Sequence, residues 1–347
     1  MFTLALKLWK LSIYLLLKFL RNFIARKHNF PYATRCTTFE NKPMKYILII
    51  LFIALTSCKK ESKYECDYIA NYYQTIYQAD IEFETKNYEK AFELYNEAFN
   101  SCEPINTPTF NEIGNFAETC AILEKNELAI EFVKKQIKRG YEIKWLKQNS
   151  NFDKVFKTEQ GIKFVSEYDN LRKKALSDLN LELREEIKKM RSEDQKYRNN
   201  NYQDNIDKQE AIDEYNTNRI IEIFNEFGYP NESLIGSFFV DSSPADVGTI
   251  LLHTSDSIRM NYFVPKLKEY VKNGTCSPLR LGTIIDQYYL YNGEPQIYGT
   301  YGRGKEYSNI ISDLEQVDKN RVSIGLPPLE LKEKKDSILQ VRYGDRF

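Results

Sequence analysis

A mainly α fold is predicted for this chain of 347 residues, on three observations. Apolar residues recur at helical rather than alternating spacing, as in Leu183, Ile187 and Met190. An alanine pair at one helix-hairpin interval, Ala79 with Ala91, returns at the same interval as Ala117 with Ala129. Helix-ending clusters stand where the periodic runs stop, at Gly228-Tyr229-Pro230 and Gly325-Leu326-Pro327-Pro328. The expected architecture is a short helical array over 64–179 and a second all-helical domain over 180–347, the latter with one small hairpin.

Charge is balanced overall, 49 Lys+Arg against 49 Asp+Glu, but unevenly placed. Residues 1–57 hold nine basic residues and one acid, Glu40, so 58–347 carry 40 basic and 48 acidic residues. Nucleic acid is therefore not an expected partner, because counterion release needs a basic excess on one face. Of two histidines, only His253 lies beyond the amino-terminal segment.

From Met44 the chain reads as a secretory signal: Lys45, an apolar run from Tyr46 to Leu55, then small residues before Cys58. The run is roughly half the length of a bilayer-spanning helix. Leu55-Thr56-Ser57-Cys58 resembles a bacterial lipobox, which implies signal removal over 44–57, acylation of Cys58 and a lipid bilayer as partner, with 58–63 as a polar tether. Lys59 stands where Asp retains many such lipoproteins in the inner membrane, so the outer membrane is expected, facing either periplasm or cell surface. Residues 1–43 add a second apolar stretch, Phe2 to Ala25, broken by Lys7, Lys10, Lys18 and Arg21. An over-extended gene start explains them most simply; the alternative is a basic amphipathic membrane segment.

The segment Tyr88-Glu89-Lys90-Ala91-Phe92-Glu93-Leu94-Tyr95-Asn96-Glu97-Ala98-Phe99 resembles the second helix of a tetratricopeptide repeat. Ala79 and Ala91 fall where such a repeat needs small side chains between its helices. Ala117 and Ala129 mark a second copy, with the Pro104–Pro108 connection absorbing the extra length. That resemblance implies a protein or peptide partner. Four further cysteines, Cys66, Cys102, Cys120 and Cys276, allow three pairings. Antiparallel helices bring the start of the first helix beside the end of the second, which favours Cys66–Cys102; four reduced thiols are the alternative. After Gly140, short turns through Trp145 and Phe156 lead to a longer helix, Ile162 to Leu179.

In the second domain Asp194 occupies the stripe of Leu183, Ile187, Met190 and Tyr197. The next helix, from about Lys208 to Phe227, carries Asn216 among Ile212, Ile220 and Ile223. A third is expected from Pro244 to His253, with Asp256 close to His253 if the helix continues. In a fourth, Pro278 to Tyr291, Asp286 shares a stripe with Leu279, Gly282 and Tyr289, while a competing stripe through Leu281, Ile285 and Tyr288 would turn it outward. The hairpin is expected around Gln296-Ile297-Tyr298-Gly299-Thr300-Tyr301, and a last helix from near Asp313 to Gly325.

Leu183-Arg184…Glu193-Asp194-Gln195…Arg198, Asn216, Gly228-Tyr229-Pro230, Ser233-Leu234-Ile235-Gly236, Leu252-His253…Asp256, Ile285-Asp286, Gln296…Gly299-Thr300 and Val317-Asp318…Arg321 together resemble domain of unknown function 6624. The resemblance covers about 180–335 and implies a fold without an assigned activity. Tyr229, Leu252 and Gln287 stand where that family more often has Trp, Gln and Arg.

Two functions are carried forward. The first is a membrane-anchored interaction or scaffold module. The second is an envelope hydrolase in which Asp194, Asn216, His253, Asp256, Asp286 and Gln296 converge for acid–base or metal-assisted chemistry. The chain has no HExxH, GxSxG, P-loop or paired-cysteine motif, so neither a cofactor nor a metal is expected. A structural alternative has these polar groups satisfying one another in a helical core.

Overall fold

In the computed structural model, residues 66–198, 202–301 and 309–344 are described. The signal segment, the lipobox and Cys58 lie outside them. The described chain is built from helices, and its only pairing of strand type is an isolated parallel bridge between Gln296 and Ile310. No described helix is long and apolar enough to cross a membrane.

The amino-terminal half opens with α1 (Tyr68–Asn71), capped by Asp67 through the amides of Ile69 and Ala70. Two helical hairpins follow: α2 (Tyr73–Glu84) with α3 (Tyr88–Ser101), and α4 (Glu112–Ile122) with α5 (Asn126–Ile137). Ala79, Ala91, Ala117 and Ala129 are all fully buried, which lets the paired backbones approach closely. The hairpins repeat down to their turns. Lys86 and Glu124, separated by the same interval as Ala79 and Ala117, both take positive φ, at 64° and 58°. The turn amides reach matching carbonyls: Lys86 to Phe83 and Asn87 to Glu82, then Glu124 to Ala121 and Lys125 to Cys120. Within the second hairpin Phe116 of α4 and Phe132 of α5 meet edge to face at 4.5 Å.

Cys66 and Cys102 form a disulfide joining the start of this array to the end of α3, with Cα atoms 5.6 Å apart. Cys120 and Cys276 are buried free thiols. The short turns after Gly140 are α6 (Ile143–Lys147), a 3-10 turn and α7 (Asp153–Lys157). The long α8 (Glu159–Asp178) is capped by Thr158, whose hydroxyl accepts from the Gly161 amide at 3.0 Å.

In the carboxyl-terminal half, α9 (Leu181–Asp194) buries Leu183, Ile187, Met190 and Asp194 against α10 (Ile206–Glu226) and later helices. The short α11 (Glu232–Ile235) leads to a loop pinned by Arg184, which is 1% exposed. Arg184 donates to Asp241 and to the carbonyls of Ile235, Gly236 and Ser243. That tethering explains a departure from expectation. Helix α12 (Gly248–Leu252) begins at Gly248 rather than Pro244, because the Ser243 carbonyl is already engaged by Arg184.

The chain then breaks at His253 and rebuilds as α13 (Asp256–Ile258), a π turn at Arg259–Phe263 and α14 (Val264–Lys272). Helix α15 (Pro278–Tyr291) buries Gly282 and Asp286 of one competing stripe and Leu281 and Ile285 of the other, while Leu279 stays exposed, so Asp286 is not turned outward. Among the described residues the expected hairpin is represented by the single Gln296–Ile310 bridge, and the amides of Ile297, Tyr298 and Thr300 are bound by Asp286 instead of a partner strand. Two helices close the described chain, α16 (Leu314–Ser323) and α17 (Leu329–Tyr343). The helical run over 256–272 and α17 are additions to the elements expected from the sequence.

The described residues belong to one compact unit, with the two halves in direct contact. The Tyr73 hydroxyl donates to the Val271 carbonyl and Gln74 to that of Leu326. Gly274 has φ of 72°, and a Cβ there would sit 2.6 Å from the Tyr68 ring, so glycine is required for this approach.

Candidate functional site

The break after α12 presents His253 to Asp194 at the end of α9. The imidazole Nδ1 lies 2.9 and 3.0 Å from the two carboxylate oxygens. Asp194 is fully buried, which is costly for a carboxylate without partners. Its partners are His253, the Gln195 amide at 2.6 Å and the Arg198 guanidinium at 3.7 Å. Burial alone would raise its pKa; His253, Gln195 and Arg198 outweigh burial and hold the carboxyl below its usual range. Arg198 also pairs with Asp213, and Gln209 spans Asp213 and the Asp194 carbonyl.

Two carbonyls beside His253 are fixed from the other side. Arg259, on the π turn, donates to Leu252 at 2.7 Å and to Thr254 at 2.5 Å. Its other terminal nitrogen donates to Gln287 on α15 at 2.8 Å. Gln287 thus ties α15 to the turn that displays the histidine. Burial lowers the Arg259 pKa. With carbonyls 252 and 254 turned toward Arg259, the helix cannot run on through His253.

The other expected site residues go elsewhere. Asp256 does not approach His253 as a continuous helix would have placed it; it is half exposed and pairs with Arg259 at 3.4 Å. Asn216 donates to the Met190 carbonyl at 3.4 Å and lines a cleft between α9 and α10. Asp286 accepts from the amides of Ile297, Tyr298 and Thr300 and from the Thr300 hydroxyl, at 2.8 to 3.0 Å. Burial raises its pKa against those hydrogen bonds. The Gln296 side chain accepts from the Tyr301 amide at 2.8 Å. Asp286 and Gln296 therefore shape one loop, while Asp194 and His253 form a separate pair.

The arrangement supports one kind of chemistry. Asp194 orients the ring through Nδ1, and Nε2 has no partner among the described residues, as a general acid or base requires. No Ser, Thr or Cys hydrogen-bonds to His253 among the described residues, so the pair has no nucleophile beside it there. Among those residues no group of three or more His, Cys, Asp or Glu is placed to hold a metal ion. A cleft of about 380 Å³ opens between the 106–110 loop and the carboxyl-terminal half, lined by Glu232, Asp246 and Arg280, and excludes His253.

A second polar centre lies in the array, where sequence reasoning placed none. Asp80 on α2 is 2% exposed. It accepts from Asn115 at 2.6 Å and Tyr95 at 3.3 Å, and pairs with Lys335 of α17. Its only sequence signal is an acid directly beside the small residue Ala79, on the face that packs.

Residues 180–344 match the model of a family described as "Family of unknown function (DUF6624)". Asp194, Asn216, His253, Asp256, Asp286 and Gln296 all fall inside that match; Asp80 and the disulfide fall before it. No curated protein and no solved structure matches the chain.

Proposed function

We propose that this chain is a lipid-anchored protein of the bacterial outer membrane that works as a docking module. Its amino-terminal hairpins form a short tetratricopeptide-like array, and the return of the first hairpin's turn hydrogen bonds in the second supports that reading. One observation carries the docking role: the buried carboxylate of Asp80, on the array, is paired by Lys335 from the carboxyl-terminal helix α17. The array takes up a helix by charge within its own chain, and the same surface chemistry suits a helical partner.

The anchor and the docking role are tested separately. Mass spectrometry of the native protein is expected to find a lipid-modified peptide beginning at Cys58; peptides from residues 1–43 contradict it. A photo-crosslinking residue at exposed Lys86, near Glu84 at the end of α2, is expected to give one discrete adduct in intact cells. The same residue at Lys208 gives none, and absence of an adduct at both positions removes the docking role.

A second reading, an envelope hydrolase, is favoured by one geometric fact: Asp194 holds His253 through Nδ1 and leaves Nε2 without a partner among the described residues. A panel of esters and phosphoesters tests it. Turnover that disappears in His253→Gln, at an unchanged urea midpoint, supports acid–base chemistry there; turnover insensitive to that substitution excludes it.

A further inference from the structure

The carboxyl-terminal helix α17 is held differently from the other long helices described. Only Leu329, its first residue, is buried, and Val341 is 90% exposed. A cavity of about 130 Å³ remains under its first turns, lined by Tyr77, Ile81, Leu331 and Lys335. What fixes α17 on α2 is charge: Lys335 on Asp80 and, two turns further on, Arg342 on Glu84.

The array cannot neutralise Asp80 by itself. Asn115 and Tyr95 are neutral donors, and among the described residues Lys335 is the one cation within ion-pair distance of Asp80. With α17 in place Asp80 is 2% exposed, and a carboxylate so enclosed needs a counter-charge. The α2 face is therefore matched to an ammonium, delivered by a helix that buries only Leu329 fully and packs Leu331 partly against the core. Glu84, one helical turn from Asp80, adds a second acidic contact suited to a guanidinium.

We infer that the α2 face is a receptor for a basic helical segment with a lysine and an arginine seven positions apart, that α17 fills it in cis, and that a partner segment of this chemistry competes with α17. This rests on the docking reading above and names its ligand class. The partner is a helical polypeptide: Asp80 and Glu84 repel phosphate, so nucleic acid and anionic lipid headgroups do not fit the same face.

The test uses the full chain and a fluorescein-labelled synthetic peptide of residues 328–343, read by anisotropy. Lys335→Glu with Arg342→Glu frees the face, and this variant is expected to bind the peptide at least tenfold more tightly than wild type. The peptide carrying K335E is expected not to bind, and Asp80→Asn in the freed variant abolishes binding of the unaltered peptide. Hydrogen exchange monitors the fold: amides of 329–343 lose protection in the variant while those of Leu181–Asp194 keep it. Where the double reversal does not fold, Lys335→Gln replaces it. Equal binding to wild type and variant overturns the inference, as does α17 staying protected in the variant. A freed α17 with no peptide bound also overturns it. A cellular crosslink from Lys86 without peptide exchange overturns the inference and leaves the docking reading standing.

Discussion

Glu112 is the most strongly perturbed carboxyl for which the structure gives a magnitude, and it makes stability depend on pH with a defined sign. It sits in the first turn of α4 with no exposed surface. It accepts from the Thr107 amide at 2.8 Å and the Thr109 hydroxyl at 3.0 Å, closing the connection between the hairpins. Burial, chiefly, raises its pKa from 4.5 to about 8. Between these values the folded chain holds a proton that the unfolded chain has released. The contribution is therefore complete below pH 4.5 and is lost as pH rises through 8, at up to about 1.4 kcal/mol per pH unit. Across the interval that amounts to roughly 4–5 kcal/mol.

Glu112→Gln imitates the neutral acid at every pH. Urea unfolding of wild type and E112Q at pH 5, 7 and 9 isolates this group, because other titrations cancel in the difference. The two are expected to be nearly equal at pH 5, with E112Q more stable by roughly 4 kcal/mol at pH 9. A difference that does not change with pH refutes the reasoning.

Three further outcomes are expected. Arg184→Lys loses the fork that spans Asp241 and three carbonyls, and its urea midpoint should report a loss of about 2–4 kcal/mol; a neutral effect contradicts the hub role. Gly248→Ala places a Cβ 1.7 Å from the Arg280 guanidinium carbon, so it should displace Arg280 from Asp246 and cost about 1–3 kcal/mol by the same assay. Non-reducing peptide mapping should recover Cys66 linked to Cys102, while Cys120 and Cys276 alkylate only after unfolding. The bridged cysteines have a sequence separation of 36, which makes that bond worth about 4 kcal/mol in the chain-entropy model, checked by unfolding with and without reductant.

Local signals carried the parts of the fold that local physics decides. Helix α3 was legible because its apolar stripe and its small residues coincide, and α15 because Pro278 opens it. The run over 256–272 has a usable stripe in Phe263, Val264, Leu267 and Val271, all buried, and the expected end of α12 at His253 agrees with the structure, but nothing local shows that the chain turns before Asp256 instead of continuing. That break is set by Arg259, whose contacts run to carbonyls, groups with no sequence signature. Helix α17 was invisible for the opposite reason: its apolar face is thin, and the charges that hold it find their partners on α2, near the other end of the described chain. Among the described residues the expected hairpin is one bridge, and one buried carboxylate, Asp286, collects amides that a second strand would have used.

For the site, an acid on a buried stripe marked Asp194, and the lone histidine marked its partner; the structure places them 2.9 Å apart. Spacing alone could not show that Asp256 turns away or that Asp286 serves a loop.

The central claim, that Asp80 holds a basic helix on the array, is tested most directly by hydrogen exchange on Asp80→Asn. This substitution keeps hydrogen bonds to Asn115 and Tyr95 within reach while removing the charge that Lys335 meets. Amides of residues 329–343 are expected to exchange at least tenfold faster than in wild type, with Leu181–Asp194 unchanged. Unaltered exchange over 329–343 would contradict the claim.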